Sequence, residues 1–441
     1  MHYMLHTFGC QMNVADAEVL AGHLENMGYS ETTTEELADV ILLITCCVRE
    51  HAESKVYGKI GELYSLKQER PEIILGVGGC MPQQEDVASK LKQRFPYLDL
   101  VFGTHNLSSF PELFDQARSS GSTVVEVLHG VGGITENMPR VRRDNLKAWV
   151  TIMYGCTNFC TYCIVPYVRG QERSREMSAI LTEICDLAER GYREVTLLGQ
   201  NVNSYGKDLV TQPDFADLLQ NIEQISGIER VRFMTSHPKD FSRKLIAVLA
   251  SSKKICQHLH LPVQSGSNRI LQAMNRGYSR EHYIALVDEI RRSSPGAVLT
   301  TDIIVGFPGE TAEDFGETLS LVREICFDAA FTFAYSPRSG TVAATWAEQL
   351  SKEEKKERLK RLNDMVNEIA LERNMLLVDQ IVEVLVEGPS KTDEAMLTGR
   401  TCGNKLVHFP SDPSVIGKIL DVQITKAQTW SLFALPVGIP R

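Results

Sequence analysis

The stretch that decides the fold is Gly155-Cys156-Thr157-Asn158-Phe159-Cys160-Thr161-Tyr162-Cys163, in which three cysteines have the spacing C-x-x-x-C-x-x-C. Three thiolates can hold three irons of a four-iron, four-sulfur cluster and leave the fourth iron without a protein ligand. Such an open iron can bind a substrate or a cofactor directly. The alternative is a structural zinc site, which needs four closed ligands, usually from two C-x-x-C pairs. The sequence contains no second pair of that kind.

This segment closely resembles the cluster-binding loop of radical S-adenosylmethionine (SAM) enzymes. In that superfamily the open iron takes the amino and carboxylate groups of SAM, and reductive cleavage of SAM yields a 5′-deoxyadenosyl radical. The resemblance implies that Cys156, Cys160 and Cys163 are the ligands of the radical SAM cluster.

Length and composition indicate a soluble globular protein of two or three domains. The chain has 441 residues, of which 43% are hydrophobic and 23% are charged. No apolar run is long enough to span a membrane, and residues 1–6 do not begin a secretory signal. Eleven cysteines in such a chain favour metal ligands or catalytic groups over a secreted disulfide framework. We therefore expect a cytoplasmic protein with no membrane partner.

The net charge of −10 argues mildly against a nucleic-acid partner, but basic residues are concentrated around the three-cysteine loop. Residues 139–176 contain more basic than acidic side chains, the basic ones being Arg140, Arg142, Arg143, Lys147, Arg169, Arg173 and Arg175. A local basic patch matters more for phosphate binding than the global balance does. A solvated surface with incidental arginines is an equally open interpretation.

The N-terminal third predicts an open parallel sheet. Short apolar runs at residues 3–8, 40–44 and 73–77 alternate with helical patterns, as expected of strands covered by helices. Each run is followed at once by cysteine, first Cys10, then Cys46 and Cys47, then Cys80. Ligands of open α/β sheets bind beyond the carboxyl ends of the strands, so these thiols should meet at one edge. The alternative is that they are buried cysteines acting as small hydrophobic residues.

Three motifs of this region resemble the N-terminal domain of the radical SAM methylthiotransferase family. They are Thr7-Phe8-Gly9-Cys10-Gln11-Met12-Asn13, Thr45-Cys46-Cys47-Val48-Arg49-Glu50 and Gly78-Gly79-Cys80. The resemblance implies an auxiliary four-iron, four-sulfur cluster on Cys10, Cys46 and Cys80, with Cys47 as a spare thiol. This chain departs from the family at Ile44, where the family motif has asparagine.

The middle of the chain predicts a partial (β/α)6 barrel, because six strand-like runs alternate with helical stretches from Lys147 onward. The cysteine loop follows the first strand, at the face where barrels place their chemistry. Polar motifs at later strand ends resemble those that line the SAM and substrate cavity of methylthiotransferases. The resemblance implies cofactor binding by Tyr162, Gln200, Asn201, Ser236, Gln264, Ser265, Asp302 and Gly306. A plain strand-to-helix turn with a Thr311–Asp314 capping box is the alternative at the fifth strand end.

The last 65 or so residues predict a small all-β barrel, because short runs of strand-forming residues are punctuated by glycine and proline. Val386-Glu387-Gly388-Pro389-Ser390 and Gly399-Arg400-Thr401 resemble the TRAM domain, an RNA-binding barrel of tRNA-modifying enzymes. With the basic patch, the resemblance implies RNA contacts by Arg169, Arg173, Arg175 and Arg400. A structural lid is the alternative.

The resemblance covers three domains, which we expect at residues 1–138, 139–374 and 375–441. His260-Leu261-Pro262-Val263-Gln264-Ser265-Gly266-Ser267 looks like the branch of the family that methylthiolates carbon 2 of N6-isopentenyladenosine at tRNA position 37. The implied cofactors are two four-iron, four-sulfur clusters and SAM, which acts as methyl donor and as radical source. The implied partners are tRNA, an electron donor such as flavodoxin or ferredoxin, and a sulfur donor or iron–sulfur carrier.

Three other functions stay open at this point. The same chemistry could act on threonylcarbamoyl adenosine in tRNA or on a ribosomal protein aspartate. A protein of another class, an iron–sulfur electron carrier, would need neither an open iron nor polar motifs at four strand ends. The sequence identifies no proton acceptor for the reaction.

Overall fold

The computed structural model describes residues 1–47, 50–84, 86–128, 130, 133–391, 393 and 395–438. Val48 and Arg49 of the second N-terminal motif lie outside these residues. In the described part of the chain, no helix has both the length and the apolar character needed to cross a membrane.

The N-terminal unit is the open parallel sheet that the sequence predicts. All neighbouring strands in it run parallel. Their spatial order is Ser30–Glu31, His2–Phe8, Val40–Thr45, Ile74–Gly79, Leu100–Phe102 and Val124–Glu126. The main helices of this unit are Gln11–Asn26, Glu50–Glu69, Val87–Arg94 and Phe110–Ser119. Separate apolar clusters cover the two faces of the sheet, which explains why its central strands are buried on both sides.

The central unit is a partial barrel of six parallel strands, as predicted. The strands are Lys147–Thr151, Glu194–Leu198, Arg230–Phe233, His258–His260, Val298–Val305 and Ala329–Ala334. They form two three-stranded sheets. An isolated parallel β-bridge between Val231 and Ile255 connects these sheets. The helices are Val165–Arg169, Met177–Glu189, Phe215–Glu223, Arg243–Ser251, Asn268–Ala273, Arg280–Ser293, Ala312–Ile325 and Lys352–Met375. A short antiparallel ladder of Met153–Tyr154 with Arg173–Ser174 flanks the cysteine loop.

The C-terminal unit is the closed five-stranded barrel that the sequence predicts. Its strands are Ile381–Pro389, Leu397–Thr401, Leu406–Phe409, Ile419–Ala427 and Leu432–Pro436. Arg230 and Arg232 hold it to the central unit by donating hydrogen bonds to the backbone carbonyls of Arg400, Thr401 and Cys402. Since Arg230 begins its strand, the small barrel lies at the end of the partial barrel opposite the cysteine loop.

The N-terminal sheet faces the carboxyl ends of the central strands. Met12 and Cys10, next to the first strand end of the sheet, pack with Leu198, Trp149 and Met234 of the partial barrel. Two buried ion pairs cross the same interface, Arg142 with Glu18 at 2.9 Å and Arg169 with Asp16 at 2.6 Å. The fold therefore brings the two cysteine-bearing regions together over one interface.

Candidate active site and metal centres

The three-cysteine loop is held in shape by backbone contacts on both sides. Gly155 has a φ of +77°, and a Cβ there would lie 2.0 Å from the carbonyl oxygen of Gln171, so only glycine fits this close approach. The Cys156 amide donates to the carbonyl of Gly170 at 3.0 Å, and the Thr161 amide donates to that of Met274 at 3.1 Å. The cysteines are thus presented on a backbone that the barrel fixes at both ends.

The three thiols of this loop match the ligand set that leaves one iron of a four-iron cluster open, because such a cluster spreads its ligands over different irons. Burial raises the pKa of Cys156 to about 11 and that of Cys163 to about 12. Iron ligation requires the thiolate, so these thiols would lose their protons as the cluster binds.

A fully enclosed arginine accompanies the loop. Arg276 Nη1 donates to Cys160 Sγ at 3.4 Å and to the Tyr162 hydroxyl at 3.3 Å. Its remaining donors go to the Pro262 carbonyl at 2.7 Å and the Tyr278 hydroxyl at 3.1 Å. Tyr162, expected to bind cofactor, is therefore the loop residue whose hydroxyl contacts this cation beside Cys160.

The second group of thiols meets at the sheet edge, as predicted. Cys10 and Cys46 interact, and their hydrogen bond is the main reason that the pKa of Cys10 falls to about 6. Gly9 permits this contact, because a Cβ at that position would lie 2.7 Å from the Cβ of Cys46. Cys47 belongs to the same group, because it shares a hydrogen bond with Cys80 that raises its own pKa and lowers that of Cys80. The sequence interpretation of Cys47 as a spare thiol did not anticipate this contact.

Four of the expected SAM-binding residues carry buried polar atoms that have no hydrogen-bond partner in the described structure. They are Gln200 Oε1, Asn201 Oδ1, Ser236 Oγ and Gln264 Oε1. Such unpaired atoms are costly unless a ligand or water satisfies them. Gln264 also has a φ of +73°, and Thr235, next to Ser236, has +66°. Backbone strain of this kind clusters at binding sites, so both observations fit a polar ligand at these strand ends.

His237, which follows Ser236 in the sequence, is a further residue of this rim. Its Nδ1 accepts a hydrogen bond from the Lys239 amide at 3.3 Å, so Nε2 carries the hydrogen of the neutral ring. Nε2 is buried and unpaired. Burial lowers the pKa of His237 to about 2, which keeps the ring neutral at physiological pH. The structure therefore adds an unsatisfied donor beside the unsatisfied acceptors.

Other expected cofactor residues have partners within the protein. Ser265 Oγ interacts with Thr318 Oγ1 at 3.3 Å and is fully buried, so it holds a loop to a helix. The Gly306 amide donates to Glu310 Oε2 at 2.7 Å, and its φ of +68° marks a turn. The predicted capping box of Thr311 and Asp314 is present. Ser265 and Gly306 thus stabilise their loops through bonds within the protein, and their contact with cofactor stays a prediction.

Asp302 differs from these two residues because it lines the inner wall of the barrel. Its carboxylate lies 3.4 Å from His260 Nε2, and its side chain is partly exposed. His260 Nδ1 contacts the hydroxyl of Thr300 at 3.0 Å, which orients the imidazole ring. Asp302 therefore stays available to a ligand in the cavity.

The burial of two arginines corrects the predicted RNA surface. Arg169 is buried against Asp16 and Cys80, and Arg175 is buried against Glu136 and Glu183, so neither can reach RNA directly. Arg173 is half-buried and lies 5.9 Å from the ring centre of Tyr154, and Arg400 lies 3.5 Å from Glu387. Sequence alone could not separate the four, because ion-pair partners distant in sequence decide which arginines are buried.

Comparison with known proteins agrees with the three structural units. Residues 2–103 match the Uncharacterized protein family UPF0004, residues 150–322 match the Radical SAM superfamily, and residues 376–437 match the TRAM domain. The chain is 56% identical over 426 residues to the tRNA-2-methylthio-N(6)-dimethylallyladenosine synthase of Desulforamulus reducens, covering 97% of this chain and 93% of that protein. It is 55% identical over 430 residues to the protein of the same name from Carboxydothermus hydrogenoformans, covering 98% of each.

A solved structure is similar to this chain in fold. The cobalamin-dependent S-adenosylmethionine radical enzyme OxsB, with aqua-cobalamin and S-adenosylmethionine bound, superposes with a TM-score of 0.53. The match covers 83% of this chain and 56% of that one at 14% sequence identity. At this identity the likeness concerns the fold alone.

Proposed function

This chain belongs to the family of tRNA-2-methylthio-N(6)-dimethylallyladenosine synthases, and on that premise we propose how its residues divide the work of one methylthiolation. It is a radical SAM tRNA methylthiotransferase that acts on N6-isopentenyladenosine, and its cofactors are two four-iron, four-sulfur clusters and SAM. The proposal depends on the position of Arg169. This residue lies on the helix Val165–Arg169, which follows the three-cysteine loop, and its Nε donates a hydrogen bond to Cys80 Sγ at a distance of 3.3 Å. The radical SAM site and the auxiliary site are therefore in contact, and both can act on the same base.

In our proposal, Cys156, Cys160 and Cys163 hold the radical SAM cluster, and Cys10, Cys46 and Cys80 hold the auxiliary cluster. When bound, the clusters and SAM would supply an electron and the radical that removes hydrogen from carbon 2. They would also supply the sulfur and the methyl group that replace this hydrogen. The unpaired atoms of Gln200, Asn201, Ser236 and Gln264 orient the polar groups of SAM. Tyr162 and Asp302 complete that wall of the cavity.

Apolar side chains between the two sites keep the reacting base away from water. Met12 and Leu198 are almost fully buried where the sheet meets the barrel, and Trp149 packs beside them. Exclusion of water prevents quenching of a reactive radical and strengthens the polar contacts around it. The target adenine must leave its stack to enter this space, as in other enzymes that modify a base.

The aromatic ledge, which we define as Phe331, Phe333 and Trp430, is a better RNA surface than the buried arginines. Their exposed fractions are 54%, 36% and 60%, although large aromatic side chains are usually buried. With Asn363 and Asn367 they line an open cavity of about 470 Å³ along Ala329–Ala334, the last strand of the partial barrel. Phe331 continues the ledge inward, because its ring lies 5.8 Å from that of His260. Bases of the anticodon loop would stack on this ledge, while Arg173 and Arg400 contact phosphates.

Removal of the ledge should weaken tRNA binding and leave chemistry intact. One stacked base contributes about 1–3 kcal/mol, so Trp430→Ala should raise the KM for tRNA about tenfold, with kcat within about twofold of the native value. Steady-state kinetics with isopentenylated tRNA measures both constants. Tyr64→Ala is the matched control, since Tyr64 is 47% exposed on the helix Glu50–Glu69. An unchanged KM in both Trp430→Ala and Phe331→Ala would remove the ledge from the proposal.

The electron and sulfur needed for each turnover must come from outside the chain. We propose a one-electron carrier such as flavodoxin or ferredoxin, and a sulfur donor or iron–sulfur carrier protein. An exposed aromatic pair, Phe159 and Tyr167 with ring centres 6.1 Å apart, lies on and beside the three-cysteine loop, where an electron carrier would dock. Because the substrate is tRNA, we propose that the reaction takes place in the cytoplasm.

The substrate assignment is tested on the nucleosides of cellular tRNA. In cells that lack this chain we expect the methylthio group on N6-isopentenyladenosine to disappear, and the native gene to restore it. Mass spectrometry of digested tRNA measures the modified and unmodified nucleosides together. A persistent mark, in cells with no other enzyme that makes it, would redirect the search to threonylcarbamoyl adenosine or to the ribosomal protein aspartate.

A further inference from the structure

Each of the two cysteine sites contains one buried arginine that donates an N–H group to a cysteine sulfur. Arg276 Nη1 lies 3.4 Å from Cys160 Sγ, and Arg169 Nε lies 3.3 Å from Cys80 Sγ. Both side chains are about 5% exposed. Hydrogen bonds to cluster sulfurs and nearby charge are among the factors that set the reduction potential of an iron–sulfur cluster.

The two arginines differ in how their charge is compensated. Arg169 Nη2 forms a 2.6 Å ion pair with Asp16, which is also buried. Arg276 forms no ion pair with any Asp or Glu among the described residues, and the groups around it are Cys160, Tyr162, Tyr278 and the Pro262 carbonyl. A buried cation without an anion is strongly unfavourable. The site around Arg276 is therefore built for a negatively charged group beside Cys160, which a thiolate-ligated cluster supplies.

We propose that this difference gives the two clusters different reduction potentials. The unpaired Arg276 raises the reduction potential of the cluster on Cys156, Cys160 and Cys163. At the auxiliary site, Asp16 cancels the effect of Arg169 on the reduction potential. Reduction adds one negative charge to a cluster, and a fixed positive charge in a low-dielectric interior stabilises that state. The electron from the external carrier then resides where SAM is cleaved, and the auxiliary cluster stays oxidised while it holds sulfur. This inference rests on the proposed cluster ligands.

The test is an anaerobic redox titration of full-length protein, with dithionite as reductant and electron paramagnetic resonance as the readout. Each potential is measured in a chain that carries one cluster, because the three ligands of the other are replaced by alanine. Arg276→Gln should lower the equilibrium constant for one-electron reduction of the radical SAM cluster at least tenfold, a shift of 59 mV. Arg276→Lys, which keeps the charge, should shift it less. Asp16→Asn should raise the constant of the auxiliary cluster by a similar factor.

Arg142→Gln is the matched control. Arg142 is as deeply buried as Arg169 and also joins the two units, through Glu18 and Glu183, but its described contacts include no cysteine. Loss of an interdomain ion pair alone should leave both potentials unchanged. Fully loaded Arg276→Gln protein with the native potential would overturn the proposal, and so would Asp16→Asn protein with an unchanged auxiliary potential.

If Arg276→Gln prevents cluster assembly, Arg276→Lys tests the radical SAM cluster, and Asp16→Asn tests the auxiliary cluster by itself, because it leaves Arg276 in place. Iron and sulfide content per chain separates this result from failure of the proposed function. A chain without Cys156, Cys160 and Cys163 that still binds two clusters would show that the ligand assignment, and not the arginine effect, is wrong.

Discussion

Replacement of Cys160 by alanine abolishes 5′-deoxyadenosine formation and tRNA methylthiolation, and it also destabilises the protein. Loss of one of three ligands should reduce both activities by more than about 100-fold, since removal of even an outer-shell partner of a metal site typically costs 10–100-fold. The loss of stability has a separate origin. Without the cluster, Arg276 keeps its charge in a buried site that offers only neutral partners, at a cost of about 3–5 kcal/mol.

A comparison within the loop isolates the contribution of one hydrogen bond. Cys156→Ala should lose the cluster and the activity to the same extent and leave Arg276 equally uncompensated, so it should differ in stability from Cys160→Ala only by keeping the hydrogen bond of Arg276 to Cys160. Chromatography of 5′-deoxyadenosine, iron content and thermal unfolding of both variants provide the measurements. Cys185→Ala is the control, since Cys185 is exposed on the helix Met177–Glu189. Residual 5′-deoxyadenosine above a few per cent in Cys160→Ala would contradict the ligand assignment.

The neighbouring cysteines of the sheet edge should differ sharply in importance. We expect Cys46→Ala to lose the auxiliary cluster and methylthio transfer while still forming 5′-deoxyadenosine, because the radical SAM site remains complete. Cys47→Ala should keep both activities. The reason to separate them is the family motif, which aligns Cys46 with the ligand, since the structure brings both thiols into the group, Cys46 against Cys10 and Cys47 against Cys80.

Iron counts and product analysis of these two variants decide the assignment. Native protein should bind about eight irons per chain, Cys46→Ala about four and Cys47→Ala about eight, as two or one four-iron clusters require. A reversed pattern, with transfer lost only in Cys47→Ala, would make Cys47 the ligand and place Cys46 in the supporting role. Loss of transfer in both variants would show that the site depends on all four thiols.

Much of the architecture could be predicted because its signals are local. Apolar runs such as Val40–Thr45 are long enough to identify buried strands, and the cysteines that follow them must meet at one edge when the strands are parallel. The short strands Leu100–Phe102 and Val124–Glu126 escaped notice, since three residues show no periodicity. For Ser265 and Gly306 the motif predicts cofactor contact, and the structure adds that each also bonds within the protein.

The sequence by itself predicted the six cluster ligands and determined the order of the three units, because spacing along the chain and residues next to strand ends carry that information. Only the tertiary structure decided which charges surround the ligands. Arg169 meets Cys80 across 89 positions of the chain, and Arg276 meets Cys160 across 116. Burial then removed Arg169 and Arg175 from the predicted RNA surface. Burial and charge compensation depend on what packs nearby in space, and nothing in the local pattern of a single arginine reveals its distant partner.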